Sequence, residues 1–198
     1  MEQLNHALFF WINAPEHPRT SLLAIAIFLA EYAIWIIPAV IGIGWLRGGK
    51  PTREILLVAT VAGLIGLLAN QLIGLLWQHP RPFMLGLGHT FISHAADSSF
   101  PSDHLTLLWS VAFSLLWHRS SRLTGVMLAL LGFPVAWARI YLGVHFPYDM
   151  AGAAAIAWLS TWLTFRAMRW YLPFIYSLAL GTHQRLFGYF IQRGWVRK

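Results

Sequence analysis

The sequence predicts an all-α polytopic membrane protein, a transmembrane helix bundle of about five spans, on three observations. Of its 198 residues 58% are hydrophobic and only 11% are Asp, Glu, Lys or Arg, whereas ordinary soluble domains are about 25% charged. The apolar residues fall into runs of about twenty, the length of helix that crosses a hydrocarbon core of about 30 Å. The basic residues sit in alternate connections between those runs, the asymmetry that membrane insertion imposes. A content of 11 Trp, 13 Phe and 6 Tyr excludes a disordered chain. The absence of cysteine excludes disulfides, thiolate nucleophiles, iron–sulfur clusters and Cys-ligated zinc. A net charge of +7 would suggest nucleic acid for a soluble protein; here topology accounts for it, and no nucleic-acid partner is expected.

Taken in order, the first 13 residues carry Leu4, Leu8, Phe9 and Trp11 without a basic n-region, and read as a short interfacial helix rather than a cleavable signal. The predicted spans cover residues 21–46, 55–77, 101–117, 123–142 and 148–165. In the first, Glu31 lies about ten residues, roughly 15 Å, into the helix. An ionisable group at that depth is expected to face the bundle interior or a wet cavity, which makes it a pocket candidate. In the second, Asn70 and Gln71 suit hydrogen bonds between helices. Residues 173–192 are long enough for a sixth span, but His183, Gln184 and Arg185 would sit near its midplane. An unpaired Arg there costs about 2.5 to 3.5 kcal/mol, so this stretch reads as an interfacial amphipathic segment. Without repeats or low-complexity tracts, residues 1–198 read as a single membrane-embedded domain.

Five spans put the termini on opposite sides. Arg47, Lys50, Arg53, Arg119, Arg122, Arg166, Arg169, Arg185, Arg193, Arg197 and Lys198 fall on one side, leaving Arg19, Arg81 and Arg139 of the 14 basic residues on the other. The richer side is expected to face the cytoplasm. The amino terminus, the loop 78–100 and the turn 143–147 then face outward.

That outer face is poor in basic residues overall, yet it collects Arg81, His94, Asp97, Ser102, Asp103, His104, Arg139, His145 and Asp149 from four different spans. Individually these suit helix ends: Arg139 a last turn, Ser102 and Asp103 a first turn after Pro101. Together they suit chemistry on an anion. Two arginines offer forks matched to phosphate oxygens, and a helix starting at Pro101 points free N–H groups at an anion. Pro147 keeps Phe146 out of helical geometry, so His145 should stand in the loop with Asp149 in the next first turn. A carboxylate there fixes the imidazole tautomer and leaves the other nitrogen basic. His145 therefore reads as nucleophile, Asp149 as its orienter and His104 as general acid.

At these residues the sequence resembles the type-2 phosphatidic acid phosphatase superfamily, whose signature has three blocks. They are a Lys, six residues and Arg-Pro; Pro-Ser-Gly-His; and Ser-Arg, five residues, His, three residues and Asp. Here the blocks read Gly74 through Arg81-Pro82, Pro101-Ser102-Asp103-His104, and Ala138-Arg139 with His145 and Asp149 at the family spacing. Gly74, Asp103 and Ala138 replace the family's Lys, Gly and Ser. The frame from His94 through Asp97 to His104, and the ending Arg193-Gly-Trp-Val-Arg197, are similar to the bacterial undecaprenyl-diphosphate phosphatase branch. The resemblance implies a lipid phosphatase in the bacterial inner membrane that recycles a polyprenyl carrier for peptidoglycan synthesis at the periplasmic face, with relatives that raise bacitracin resistance. It implies Arg81, Arg139, Ser102 and Asp103 as the phosphate site, and leaves His94 and Asp97 as either substrate contacts or loop-packing residues. Other lipid phosphates, such as phosphatidylglycerol phosphate or phosphatidic acid, remain alternative substrates.

No cofactor or metal is expected, because two arginines already supply positive charge and would repel a divalent ion. A metal-dependent hydrolase and an ion-coupled transporter are the rival readings. The topology is checked by a reporter fused after Lys198, expected in the cytoplasm, and by single cysteines between Leu85 and Ser93, expected to label from outside intact cells. External labelling at Gly48 would reverse the orientation.

Overall fold

The computed structural model describes residues 2–197, so Lys198 of the basic set lies outside the described residues. Six helices account for nearly all regular structure: α1 (Glu2–Ile12), α2 (Thr20–Arg47), α3 (Lys50–Leu76), α4 (Asp103–Leu116), α5 (Arg122–Tyr141) and α6 (Pro147–Gln192). Three of them, α2, α3 and α5, are long and apolar enough to cross a membrane. Two of the five expected spans differ from expectation.

The third, α4, has 14 residues and rises only about 21 Å, short of a bilayer core. It is instead the buried axis of the bundle, wedged among α3, α5 and α6, with Leu105, Leu108, Val111, Ala112 and Leu115 almost fully enclosed. The fifth continues without a break into the segment expected to lie separately in the interface, giving one helix of 46 residues. The stretch around Arg166, Arg169 and Trp170 contains no Gly or Pro to stop it, and Pro173 is carried inside the helix. Ser160, Thr161, Thr164 and Asp149 on its buried face lower its apolarity.

Small residues let α3 and α4 approach closely. Ala59, Ala62, Gly63 and Gly66 share the buried face of α3, the small-residue spacing of membrane helix contacts. A Cβ on Gly66 would sit 2.8 Å from Thr106 Cγ2 and 2.9 Å from Ser110 Oγ. Hydrogen bonds tie the same region: Asn70 Nδ2 donates to Thr106 Oγ1 at 3.0 Å, and Thr161 Oγ1 donates to the Ser110 carbonyl at 3.1 Å. Along α2, a π-helical turn (Phe28–Tyr32) and a 3-10 turn (Ala33–Trp35) precede Pro38. Proline lacks an N–H and crowds the carbonyl four residues back, so irregular turns there take up the displaced bonds.

The polar groups separate to the two ends of the bundle. A cavity of about 180 Å³ lined by Pro51, Glu54, His118 and Met168 brings the start of α3, the α4–α5 turn and the middle of α6 together, and Arg47, Lys50, Arg53, Arg119, Arg122, Arg166 and Arg169 fall in or beside these three stretches. Arg53, expected in a cytoplasmic loop, is instead buried in α3. It donates to the carbonyls of Trp45 at 3.0 Å and Arg197 at 2.6 Å beside His183. This clasp folds the carboxyl-terminal stretch back on the α2–α3 junction, where Arg197 N–H also donates to the Leu46 carbonyl.

At the opposite end α1 packs against the start of α6. Phe9 meets Phe146 edge-on with ring centroids 5.3 Å apart, His6 stacks on Phe146, and Asn5 Oδ1 accepts the Tyr148 N–H at 3.0 Å. Asn13 then clips the long loop to α5, donating to the carbonyls of His89 and Tyr141 and accepting the His89 N–H.

The α4–α5 contact generates a test of packing. Trp109 of α4 lays its indole on Gly132 of α5, where any Cβ would overlap the ring, and donates to the Ala129 carbonyl at 3.2 Å. Gly132→Ala is expected to destabilise the fold by about 1 to 3 kcal/mol through overpacking, read as a lower thermal midpoint in detergent. Trp109→Phe in the same chain should recover part of it. An unchanged midpoint for Gly132→Ala would contradict this packing.

Candidate active site

The loop between α3 and α4 carries most of the site. Trp77 ends α3, and the chain runs through a 3-10 turn (Pro82–Leu85) to residues 86–102, without regular structure, before entering α4. Arg81 precedes that turn and is 5% exposed. Its Nε donates to Asp97 Oδ1 at 2.8 Å, Nη1 to the Val144 carbonyl at 2.9 Å, and Nη2 to the Ser98 carbonyl at 3.2 Å. Arg139, in the last turn of α5, is 1% exposed. It donates to the Ala30 carbonyl at 3.3 Å, lies 2.9 Å from His94 Nε2, and has Glu31 Oε1 at 3.9 Å.

Both guanidinium groups also point at one atom. Arg81 Nη1 lies 3.0 Å, and Arg139 Nη2 3.3 Å, from Nε2 of His145. Arginine nitrogens only donate, so Nε2 must present its lone pair and the imidazole proton resides on Nδ1. There it meets Asp149 Oδ2 at 3.0 Å. The same oxygen accepts the Phe146 N–H at 2.8 Å and the hydroxyl of Ser99. Pro147 opens α6 at N1, which holds His145 in the turn before the helix while Asp149 reaches back to its start.

Burial is the largest influence on His145. It works against the hydrogen bond to Asp149 and with the charges of Arg139 and Arg81, and the imidazole is pushed down to about 3. The ring is therefore neutral at physiological pH, its Nε2 lone pair facing the two guanidinium groups. His94 is likewise lowered, by burial and then by Arg81 and Arg139.

The remaining predicted residues divide. Ser102 is fully enclosed, its N–H facing the Asp149 carbonyl at 3.4 Å and its Oγ without a protein partner. His104 is half-buried in the first turn of α4, within the field of both arginines, His145 and His94. His94 and Asp97 each engage one of the two arginines. Asp103 turns away: its carboxylate accepts from Asn70 Nδ2 at 2.8 Å and Gln71 Nε2 at 3.2 Å, so only its backbone N–H is left to face an anion. Asn70 and Gln71 are thus interhelical partners. Glu31, expected to face the bundle interior or a wet cavity, has a side chain 43% exposed and stands on the π-helical turn beside Arg139. Among the described residues no three His, Asp or Glu side chains gather as they would to hold a metal ion.

Sequence reasoning missed Ser99, which lies in a Ser-rich loop stretch whose composition signals only a turn. It also missed Asn13 and the carbonyls of Val144 and Ser98, contacts that side-chain chemistry in a sequence does not announce. A polar cavity of about 390 Å³ adjoins the site on the α3 side, lined by residues including Gln71, Gly74, His79, Asp97 and Asp103. His145 and Arg139 do not line it.

A phosphorus placed in line with the His145 Nε2 lone pair would bring its oxygens to the two N–H groups now aimed at that nitrogen. A histidine held neutral, oriented by a carboxylate and flanked by two fixed cations is suited to attack a phosphoryl group.

The PAP2 superfamily model matches residues 54–173, a stretch that contains Arg81, His104, Arg139, His145 and Asp149. The Escherichia coli (strain K12) protein named "Putative undecaprenyl-diphosphatase YbjG" is 36% identical over 201 residues, covering 100% of this chain and 99% of that protein. The Bacillus subtilis (strain 168) undecaprenyl-diphosphatase BcrC is 35% identical over 172 residues, 87% of this chain and 88% of its own. Two solved structures share the fold. Aquifex aeolicus LpxE superposes with a TM-score of 0.64 at 22% identity, covering 82% of this chain and 95% of its own. A transmembrane PAP2-type phosphatidylglycerolphosphate phosphatase from Bacillus subtilis gives 0.56 at 21% identity, covering 82% and 83%. With the family model spanning more than half its length and relatives matched nearly end to end, the chain belongs to the PAP2 superfamily.

Proposed function

We propose that this protein is an undecaprenyl-diphosphate phosphatase of the bacterial inner membrane, acting at the periplasmic face as one domain over residues 1–198. The observation that carries the reading is the convergence of Arg81 and Arg139 on the free nitrogen of His145, with Asp149 on the other nitrogen. The names of the relatives supply the substrate. The lipid tail lies among the helices and membrane lipids, and the diphosphate reaches the outer end of the bundle. Release of phosphate regenerates the monophosphate carrier for peptidoglycan synthesis, and by the same turnover opposes bacitracin.

His145 Nε2 attacks the terminal phosphorus in line, and the bond to the bridging oxygen breaks. That oxygen leaves with undecaprenyl phosphate, taking a proton from His104. Arg81 and Arg139, with Ser102 and the first N–H groups of α4, including that of Asp103, hold the equatorial oxygens as negative charge spreads over them. Asp149 stabilises the positive charge that develops on the imidazole. His104 then takes a proton from water, which attacks the phosphohistidine and frees phosphate and His145. His94, Asp97 and Glu31, already engaged with the arginines, keep the guanidinium planes facing the substrate.

Turnover is expected to survive exhaustive chelation, since positive charge at the phosphate comes from arginine. Arg81→Lys should nonetheless be severely impaired, because an ammonium cannot reproduce the fork. Activity lost with EDTA and recovered with Mg²⁺ or Zn²⁺ would favour a metal-dependent hydrolase instead. Phosphate release by the detergent-purified protein from undecaprenyl diphosphate, beside phosphatidylglycerol phosphate and phosphatidic acid, decides the substrate.

The two histidines separate by leaving group. His104→Ala should lose roughly 10²- to 10⁴-fold on the diphosphate, and far less on an aryl phosphate whose phenolate departs without a proton. His145→Ala should fail on both. Acid-labile phosphate should be trapped on wild type, and on His104→Ala given the aryl ester, but never on His145→Ala. Equal losses for the two variants on both substrates would reverse these roles.

A further inference from the structure

We propose that Ser99 is a positioning residue for the nucleophilic histidine, its hydroxyl fixing the Asp149 carboxylate so that one oxygen faces His145 Nδ1. The inference rests on the assignment of His145 as nucleophile.

Ser99 is fully buried. Although it lies in the irregular stretch before α4, its backbone is fixed by an N–H bond to the His79 carbonyl at 2.7 Å. Its Oγ contacts Asp149 Oδ2 and lies 3.4 Å from His145 Nδ1. A serine hydroxyl has one proton, and the imidazole proton is committed to Oδ2 at 3.0 Å. The hydroxyl therefore donates to the carboxylate, and three donors from three directions meet on Oδ2: the Phe146 N–H, His145 Nδ1–H and Ser99 Oγ–H. Oδ1 is buried with no partner. This asymmetry has a consequence for geometry. A carboxylate bonded through one oxygen alone can turn about its terminal torsion, and the hydroxyl from the loop side holds it against that turn. The imidazole plane, and with it the direction of the Nε2 lone pair, follows the carboxylate.

The hydroxyl also acts on charge. The charged and titratable groups around the His145 ring are Arg81 and His94 from the loop, His104 from α4, Arg139 from α5 and Asp149 from α6. Only Asp149 favours a proton on the ring. A donor on its oxygen spreads that negative charge, so removing the donor makes the carboxylate hold a proton on His145 more readily. The acid limb of the pH profile then moves to higher pH.

The test uses the full-length protein in detergent. Ser99→Ala is expected to lower kcat on undecaprenyl diphosphate about 10- to 100-fold, the range of a hydrogen bond to a charged group, with KM changed less than about threefold. Its acid limb should shift upward, and Ser99→Thr, which keeps the hydroxyl, should recover much of the loss. In the Asp149→Asn background Ser99→Ala should cost little further. A structural role would give the same factor in both backgrounds, and that result, or full kcat in Ser99→Ala, overturns the proposal. The Nδ1 proton of His145, observed by NMR on ¹⁵N-histidine-labelled protein without substrate, should move in Ser99→Ala; an unmoved signal also overturns it. If wild type released no phosphate while that signal still moved, the phosphatase reading would fall and the contact would be supported.

Discussion

The structure depends on two buried guanidinium groups sharing one neutral imidazole nitrogen. Bringing Arg81 and Arg139 together out of water is unfavourable for both through desolvation and mutual repulsion. Each is offset in part: backbone carbonyls accept from Arg81 at two places and from Arg139 at one, and a partly exposed carboxylate stands beside each, Asp97 for Arg81 and Glu31 for Arg139. The carboxylates lie on the solvent side, so each arginine keeps an N–H aimed inward at Nε2. Protonation of His145 would put a third cation against the other two, which is why burial and the arginines both hold it neutral.

The fold supplies the rigidity this arrangement needs. The two arginines, the histidine and the aspartate come from a loop, the end of α5, the turn before α6 and its first turn, four segments that must agree to within a few tenths of an ångström. α4 makes that possible by being short and enclosed, so its start lies among the ends of its neighbours rather than beyond them. α1 closes the other side, with Phe9 and His6 on the ring of Phe146 and Asn13 binding the loop to α5. A helix that sequence patterning assigns to the interface thereby packs against the turn that carries His145 into α6.

The site was more legible in the sequence than the helix boundaries were. Arg81, His104, Arg139, His145 and Asp149 are read from spacing because Pro82, Pro101 and Pro147 fix where loops end and helices begin, and residue type near those points limits the chemistry. The continuity of α6 was not legible: a charged Arg185 argues against a span, but says nothing against a helix that continues past the apolar part to clasp Arg53. The burial of Arg53 was not legible for a related reason, since counting charges assigns a side of the membrane and not a degree of burial. Ser99 and the outward turn of Asp103 were hidden because each depends on a partner distant in sequence, Asp149 in one case and the Asn70–Gln71 pair in the other.

That last pair bears on two departures from the family pattern. Gly74 stands where the pattern has a lysine, and Asp103 where it has a glycine; both line the cavity on the α3 side. A Cβ at Gly74 would meet Ser98 at 3.3 Å, so a long side chain there would press on the residue whose carbonyl holds Arg81. Losing a cation and gaining an anion at neighbouring positions would weaken a phosphate site if the new carboxylate faced it. Instead the amides of Asn70 and Gln71 take up both Asp103 oxygens, drawing its charge toward α3. Asp103 therefore anchors the start of α4 to α3 by its side chain.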